Sequence, residues 1–249
     1  MKKLFIITSI FIFQFILMAG VNKAEFIKKF SEAQKIQRTN LSGYMEIEMY
    51  MMGLPVKMWG NFWMKGHLYK VDMLTKLPNN TTPVNSVIIF DGKNIWRIGK
   101  LMIIKIDVNK LPKQIRQEQI QNSAYFDINE FSKSIEKYYK QANITEKTMN
   151  NEKYYVITIE GQIIKQNIPS NINGLKKVIL WINEKDMLIR KIELYGKGKT
   201  PGVSIILKNL STKPIPNSMF VYNPSKNAKI FDMTNLIGTE YKTMNNNQP

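Results

Sequence analysis

The sequence predicts an α+β protein: one large curved antiparallel sheet with helices on one side. Three observations carry that reading. Stretches before residue 108 alternate apolar and polar side chains with a period of two. Two helical patterns fill residues 110–142, and strand patterns resume from residue 153.

Taken in order, residues 22–37 read as an opening helix. Asn22 with Glu25 three places on has the form of a capping box, and Phe26, Phe30, Ala33 and Ile36 fall on one face. Residues 41–51 then alternate: Leu41, Gly43, Met45, Ile47, Met49 and Met51 on one side, Ser42, Tyr44, Glu46, Glu48 and Tyr50 on the other. After a turn at Gly53-Leu54-Pro55, residues 56–65 set Met58, Phe62 and Met64 against Trp59 and Trp63. Residues 68–73 continue the pattern with Tyr69, Val71 and Met73. Residues 86–98 read as a hairpin: Val87 to Phe90 suit a pleated strand, Asp91-Gly92 tolerates a tight turn, and Ile95, Trp96 and Ile98 begin the return. Residues 101–107 make a further strand. The helical patterns follow at 110–122, with Leu111, Ile115 and Ile120, and at 127–142, with Ile128, Phe131 and Ile135 on one face and Asp127 with Glu130 as its cap. Strands are predicted again at 153–160, 178–183, 187–195, 202–208 and 219–222. No linker divides the chain into two folding units.

Composition narrows the function classes. The chain has 249 residues, 15 Met, no Cys and a net charge of +17. Without Cys there are no disulfides, thiolate metal sites or Cys nucleophiles. Met1-Lys2-Lys3, an apolar run from Leu4 to Met18, and Ala19-Gly20 have the layout of a secretory signal peptide, placed at residues 1–20; an uncleaved anchor is the alternative, although the run is short for a span. Removing that segment takes the charge to +15. Export makes nucleic acid an unsuitable partner for this basic chain and leaves anionic lipids and acidic proteins. A single folding unit is placed at 21–241, with a frayed tail at 242–249.

Catalytic motifs are weak. His67 is the one histidine, and Gly196-Lys-Gly-Lys-Thr200 fails as a phosphate loop because Glu193 stands where another Gly is needed and Pro201 follows where a helix should start. The stronger feature is the methionine on one face of the early strands. Met side chains fill a core or line a pocket for flexible apolar ligands, and the residues alone do not choose between these.

Three segments together carry a family resemblance. Ile89-Phe90-Asp91-Gly92-Lys93-Asn94-Ile95-Trp96 is similar to a DGK-x-x-W segment after an apolar strand. Gly60-Asn61-Phe62-Trp63-Met64-Lys65 is similar to a G-x-(L/F)-W-x-K strand. Phe220-Val221-Tyr222-Asn223-Pro224 is similar to a closing F-x-F-x-P. In this order, over residues 24–235, they resemble the periplasmic lipoprotein-carrier (LolA) family. The resemblance implies an incomplete antiparallel β-barrel, a curved sheet of roughly 10–11 strands with helices forming a lid over an apolar cavity. It implies a non-enzymatic carrier that shelters lipoprotein acyl chains crossing the periplasm, with an inner-membrane release complex and an outer-membrane acceptor as partners. No cofactor or metal is expected, and the protein is expected to be a monomer. The residues assigned to the cavity wall are Met45, Ile47, Met49, Met51, Met58, Phe62, Met64, Val71 and Trp96; those assigned to the lid are Ile115, Phe131 and Ile135. One departure stands out: where the family strand often continues W-x-K-R-P, with the Arg contacting the lid, this chain has Gly66 in place of the Arg. The same fold also serves sensors or scaffolds that bind lipid or lipopeptide and act through a partner protein. An exported hydrolase is a third reading, which requires a polar cluster inside the cavity.

Overall fold

The structure, a computed structural model, describes residues 22–51, 53–78, 80, 82–113, 115–116, 142–160 and 174–237. The expected signal peptide, the expected helix at 127–142 up to residue 141, and the tail lie outside these.

The chain opens with helix α1, Lys23–Thr39. The Asn22 side chain accepts from the Glu25 backbone N–H at 3.3 Å and so satisfies one donor of the first turn. The buried stripe is Phe26, Phe30, Gln34 and Gln37. Ile36, expected on that stripe, is exposed. At 3.6 residues per turn Phe26, Gln34 and Gln37 all lie within about 40° of the direction of Phe30, whereas Ile36 lies about 120° from it.

Twelve strands follow among the described residues: β1 Leu41–Met51, β2 Leu54–Lys65, β3 Leu68–Lys76, β4 Val84–Phe90, β5 Asn94–Gly99, β6 Ile103–Asp107, β7 Asn143–Met149, β8 Glu152–Glu160, β9 Lys177–Asn183, β10 Ile189–Tyr195, β11 Val203–Ser211 and β12 Ile230–Asp232. They form one sheet in the order β12-β6-β5-β4-β3-β2-β1-β11-β10-β9-β8-β7. Every pairing is antiparallel except β12 with β6. β7 and β12 are the two ends, so the sheet is unclosed, in keeping with the incomplete barrel expected.

Two features of sequence bend it. Gly60 has no room for a side chain, since a Cβ there would lie 1.9 Å from the Asp72 carbonyl oxygen on β3. Across β1, the register with β11 shifts between Ser42 and Tyr44, where Asn209 takes φ +51° and a Cβ on Gly43 would meet the Lys208 carbonyl oxygen at 2.9 Å.

The strand count exceeds the expected one for two reasons. β7 escapes the sequence reading because only Ile144 among its residues is buried, so it shows no apolar alternation. β12 is three exposed residues long. In the other direction, the strand expected at 219–222 does not form. Asn217–Phe220 is a 3₁₀ turn, and the chain beyond it runs irregularly to β12.

Candidate functional site

The side chains of β1, β2 and β3 alternate as the sequence requires, and the register aligns their apolar sets on one face. Leu41 pairs with Met64 and Met64 with Tyr69; Gly43 with Phe62 and Phe62 with Val71; Met45 with Gly60 and Gly60 with Met73; Ile47 with Met58; Met49 with Val56. β4 and β5 extend these rows: Tyr69 pairs with Phe90 and Phe90 with Ile95. This inner face is the side covered by α1. Lys23 Nζ donates to the Ala142 carbonyl at 3.3 Å, the Phe26 ring meets Tyr155 edge-on at 4.9 Å, and Gln37 Nε2 donates to the Met187 carbonyl at 3.4 Å.

Met45, Ile47, Met58, Phe62, Met64 and Val71 are all buried in one apolar cluster on the inner face, and Met49 packs half-buried at its margin. Met51 pairs through its backbone with Leu54, and its side chain lies outside the described set. Trp96 is a correction. It pairs with Ile89, one residue out of step with the inward Phe90–Ile95 pair, so it sits on the outer face. Of the lid residues, Ile115 is buried in the same cluster with Val108 and Leu111; Phe131 and Ile135 lie outside the described residues. The cluster also contains Tyr69, Met73, Ile88, Phe90, Ile95 and Ile106, which the sequence assignment left out. Carrying the same two-residue alternation through β3 to β6 would have found them.

The outer face explains the motifs. Asp91 accepts from the backbone N–H groups of Lys93 (2.8 Å) and Asn94 (2.6 Å), from Asn94 Nδ2 (3.2 Å) and from the Trp96 indole (3.1 Å). Gly92 supplies the positive φ of the turn, +94°. Burial by itself would raise the Asp91 carboxyl; the hydrogen bonds from Asn94, Lys93 and Trp96 outweigh it and hold the group below its ordinary range. The Trp96 ring lies 5.2 Å from Tyr222.

Lys65 Nζ donates to the Ile215 carbonyl (2.9 Å) and to Asn217 Oδ1 (2.6 Å), and Lys70 Nζ lies 5.5 Å from the Trp63 ring. Residues 212–229 therefore run as a strap across the outside of β2 to β5. It ends where β12 joins β6 and the Met233 N–H donates to the Lys105 carbonyl. Ile89, Trp96, Ile215 and Phe220 are buried apart from the main cluster. Lys65 thus faces the strap, and Gly66, at φ +59°, donates its N–H to the Arg38 carbonyl at the end of α1.

Polar chemistry on the inner face is sparse. Among the described residues no group of three or more His, Cys, Asp or Glu is placed to hold a metal ion. His67 is exposed in the β2–β3 turn. The buried amide of Gln34 is the exception. Its exposure is 0%, and neither Nε2 nor Oε1 has a hydrogen-bond partner among the described residues. An unsatisfied buried polar group costs about 1–3 kcal/mol, so this one needs an explanation.

No family model and no curated protein matches the chain. Among solved structures, the fold is similar to that of an uncharacterized conserved protein from Thermus thermophilus (TM-score 0.50, 9% identity, covering 84% of this chain and 98% of that one). Fainter likenesses include LprF from Mycobacterium bovis (TM-score 0.44, 12% identity, covering 81% of this chain and 97% of that one) and a LolA superfamily protein from Nitrosomonas europaea (TM-score 0.31, 14% identity, covering 81% of this chain and 98% of that one). At such identities the likeness is one of fold. Among the described residues, no helix is long and apolar enough to cross a membrane.

Proposed function

We propose that this protein is a periplasmic lipid-binding carrier that shelters the acyl chains of lipoproteins on their way to the outer membrane. The observation that supports it is the inner face of an unclosed sheet lined by Met45, Met58, Met64 and Met73, with Met49 at the margin. Unbranched thioether side chains rearrange at small cost, so they adapt to a chain with many conformers. Exposing an acyl chain of about 14 carbons to water costs on the order of 10 kcal/mol at ~0.8 kcal/mol per CH₂. A carrier offsets most of that cost and still lets go, which suits a pliable face better than a rigid one.

On this reading the protein is a binding protein, not an enzyme. The inner side chains of β1, β2 and β3 are mostly Met, Ile, Val, Leu and Phe, which supply no acid, base or nucleophile. It works as a monomer, exported with the help of residues 1–20. It receives cargo from an inner-membrane release complex and passes it to an outer-membrane acceptor. The cavity wall comprises Met45, Ile47, Met49, Met51, Met58, Phe62, Met64 and Val71, joined by Met73, and Ile115, Phe131 and Ile135 belong to its cover.

Native mass spectrometry of the purified protein, mixed with a diacylated peptide and with the same peptide unacylated, tests this. A one-to-one complex with the acylated peptide alone is expected. Absence of any complex, together with no co-purifying lipid, would overturn it. Crosslinking in cells separates a carrier, which traps many lipoproteins, from a sensor, which traps one main partner.

A further inference from the structure

Gln34 has no place in a purely apolar core. It lies on the buried stripe of α1, four residues from Phe30 and three from Gln37. Gln37 resolves its own burial by donating to the Met187 carbonyl. Gln34 does not: its side chain is fully buried and, among the described residues, both amide atoms are unpaired. A Leu or Met at that place would fill the space without an unmet polar demand. The side chain offers N–H donors at Nε2 and acceptor lone pairs at Oε1, and it carries no charge.

We infer that Gln34 is the polar recognition point of the interior, donating Nε2–H to the carbonyl oxygen of a neutral acyl linkage. This rests on the lipid-binding reading above and deepens it, because it separates acyl ligands from plain hydrocarbon. An ester supplies an acceptor for Nε2. A secondary amide supplies that acceptor and also an N–H for Oε1, so it satisfies both atoms. An alkane satisfies neither. An ionised carboxylate fits worst, since a neutral amide gives its charge too little compensation away from water. The expected order of affinity is amide, then ester, then alkane, with the carboxylate excluded.

The test measures displacement of a fluorescent fatty probe by N-methylpalmitamide, methyl palmitate, an alkane of matched length and palmitate at pH 8. The wild-type protein is expected to bind methyl palmitate about tenfold more tightly than the alkane, the effect of one hydrogen bond to a previously unpaired group. In Gln34→Met, which conserves volume, the ester and the alkane are expected to bind equally, and the ligand-free protein unfolds at the same or a higher temperature. A merely structural glutamine would instead lower that temperature when replaced. Equal affinity of wild-type protein for ester and alkane overturns the inference and leaves lipid binding standing. So does a preserved ester preference in Gln34→Met. Binding of neither the probe nor any ligand overturns the carrier reading along with it. If Gln34→Met does not fold, the wild-type ratio of ester to alkane decides alone.

Discussion

The inner face of the sheet joins two unlike halves. Across β1, β2 and β3 it is lined by Met45, Met49, Met58, Met64 and Met73 among its apolar residues. Across β8, β9, β10 and β11 it is lined by Ile157, Ile159, Leu180, Ile182, Ile192, Ile205 and Leu207, and those four strands contain no methionine. Both halves are buried. They differ in stiffness: five of those seven residues are isoleucine, whose β-branch restricts χ1, whereas Met has three soft torsions. Burial alone therefore does not distinguish the halves; the kind of side chain does, and on the proposed function the methionine half is the one that would receive the acyl chain. The outer side adds to the contrast. The strap of residues 212–229 backs β2 to β5, held by Lys65 and by the Asp91–Trp96–Tyr222 stack, so the methionine half is braced from behind while remaining adaptable in front.

The largest effect expected tests the stiff half. Leu180 is fully buried at 0% exposure, and Leu180→Ala should destabilise the protein by about 2–5 kcal/mol in urea unfolding. Met58→Leu, a volume-conserving change in the other half, should cost less than about 1.5 kcal/mol while narrowing the range of acyl lengths bound in native mass spectrometry. Equal stability losses, or an unchanged length range, would break the contrast.

The next tests the brace by pH. The Asp91 carboxyl is held below its ordinary value, so its contribution is present above the unfolded value of about 3.9 and is lost as pH falls through the lower folded value. Asp91→Asn should cost about 1–2 kcal/mol at pH 7 and flatten the stability profile below about pH 4. Urea midpoints measured from pH 2 to 7 check it. The smallest concerns Lys65, partly exposed and bonded to the strap at two points. Lys65→Met should cost about 1 kcal/mol and speed amide hydrogen exchange in residues 212–222 and β2–β4, leaving β8–β10 unchanged. A uniform change across the sheet would show that the two halves unfold as one unit.

Much of the fold is legible in the sequence because alternation is a local signal. β1 is predicted with its observed ends, and the faces of β1 to β3 follow from parity. β7 is not legible by that route, since an edge strand with one neighbour shows no alternation. Its hairpin does leave a signal in Asn150-Asn151, two residues at φ +51° and +62° between paired Met149 and Glu152. On the inner face, the burial of the methionines is legible and the outward placement of Trp96 is not. A one-residue step around Asp91-Gly92 decides which face an aromatic takes, and the hydrogen bond to Asp91 fixes that step. Phe220 and Tyr222 mimic a strand because their alternation arises from packing onto the outside of the sheet.

By itself the sequence determined the strands, their apolar faces and the concentration of methionine in the first three, because each depends only on residue order within about ten positions. The tertiary structure decided which faces meet. It alone sets the closing motif against the hairpin motif on the outside, leaves Gln34 buried without a partner among the described residues, and backs the pliable half with a strap. The physical reason is that these contacts join residues more than a hundred positions apart, or the lack of any partner at all, and no local periodicity encodes either.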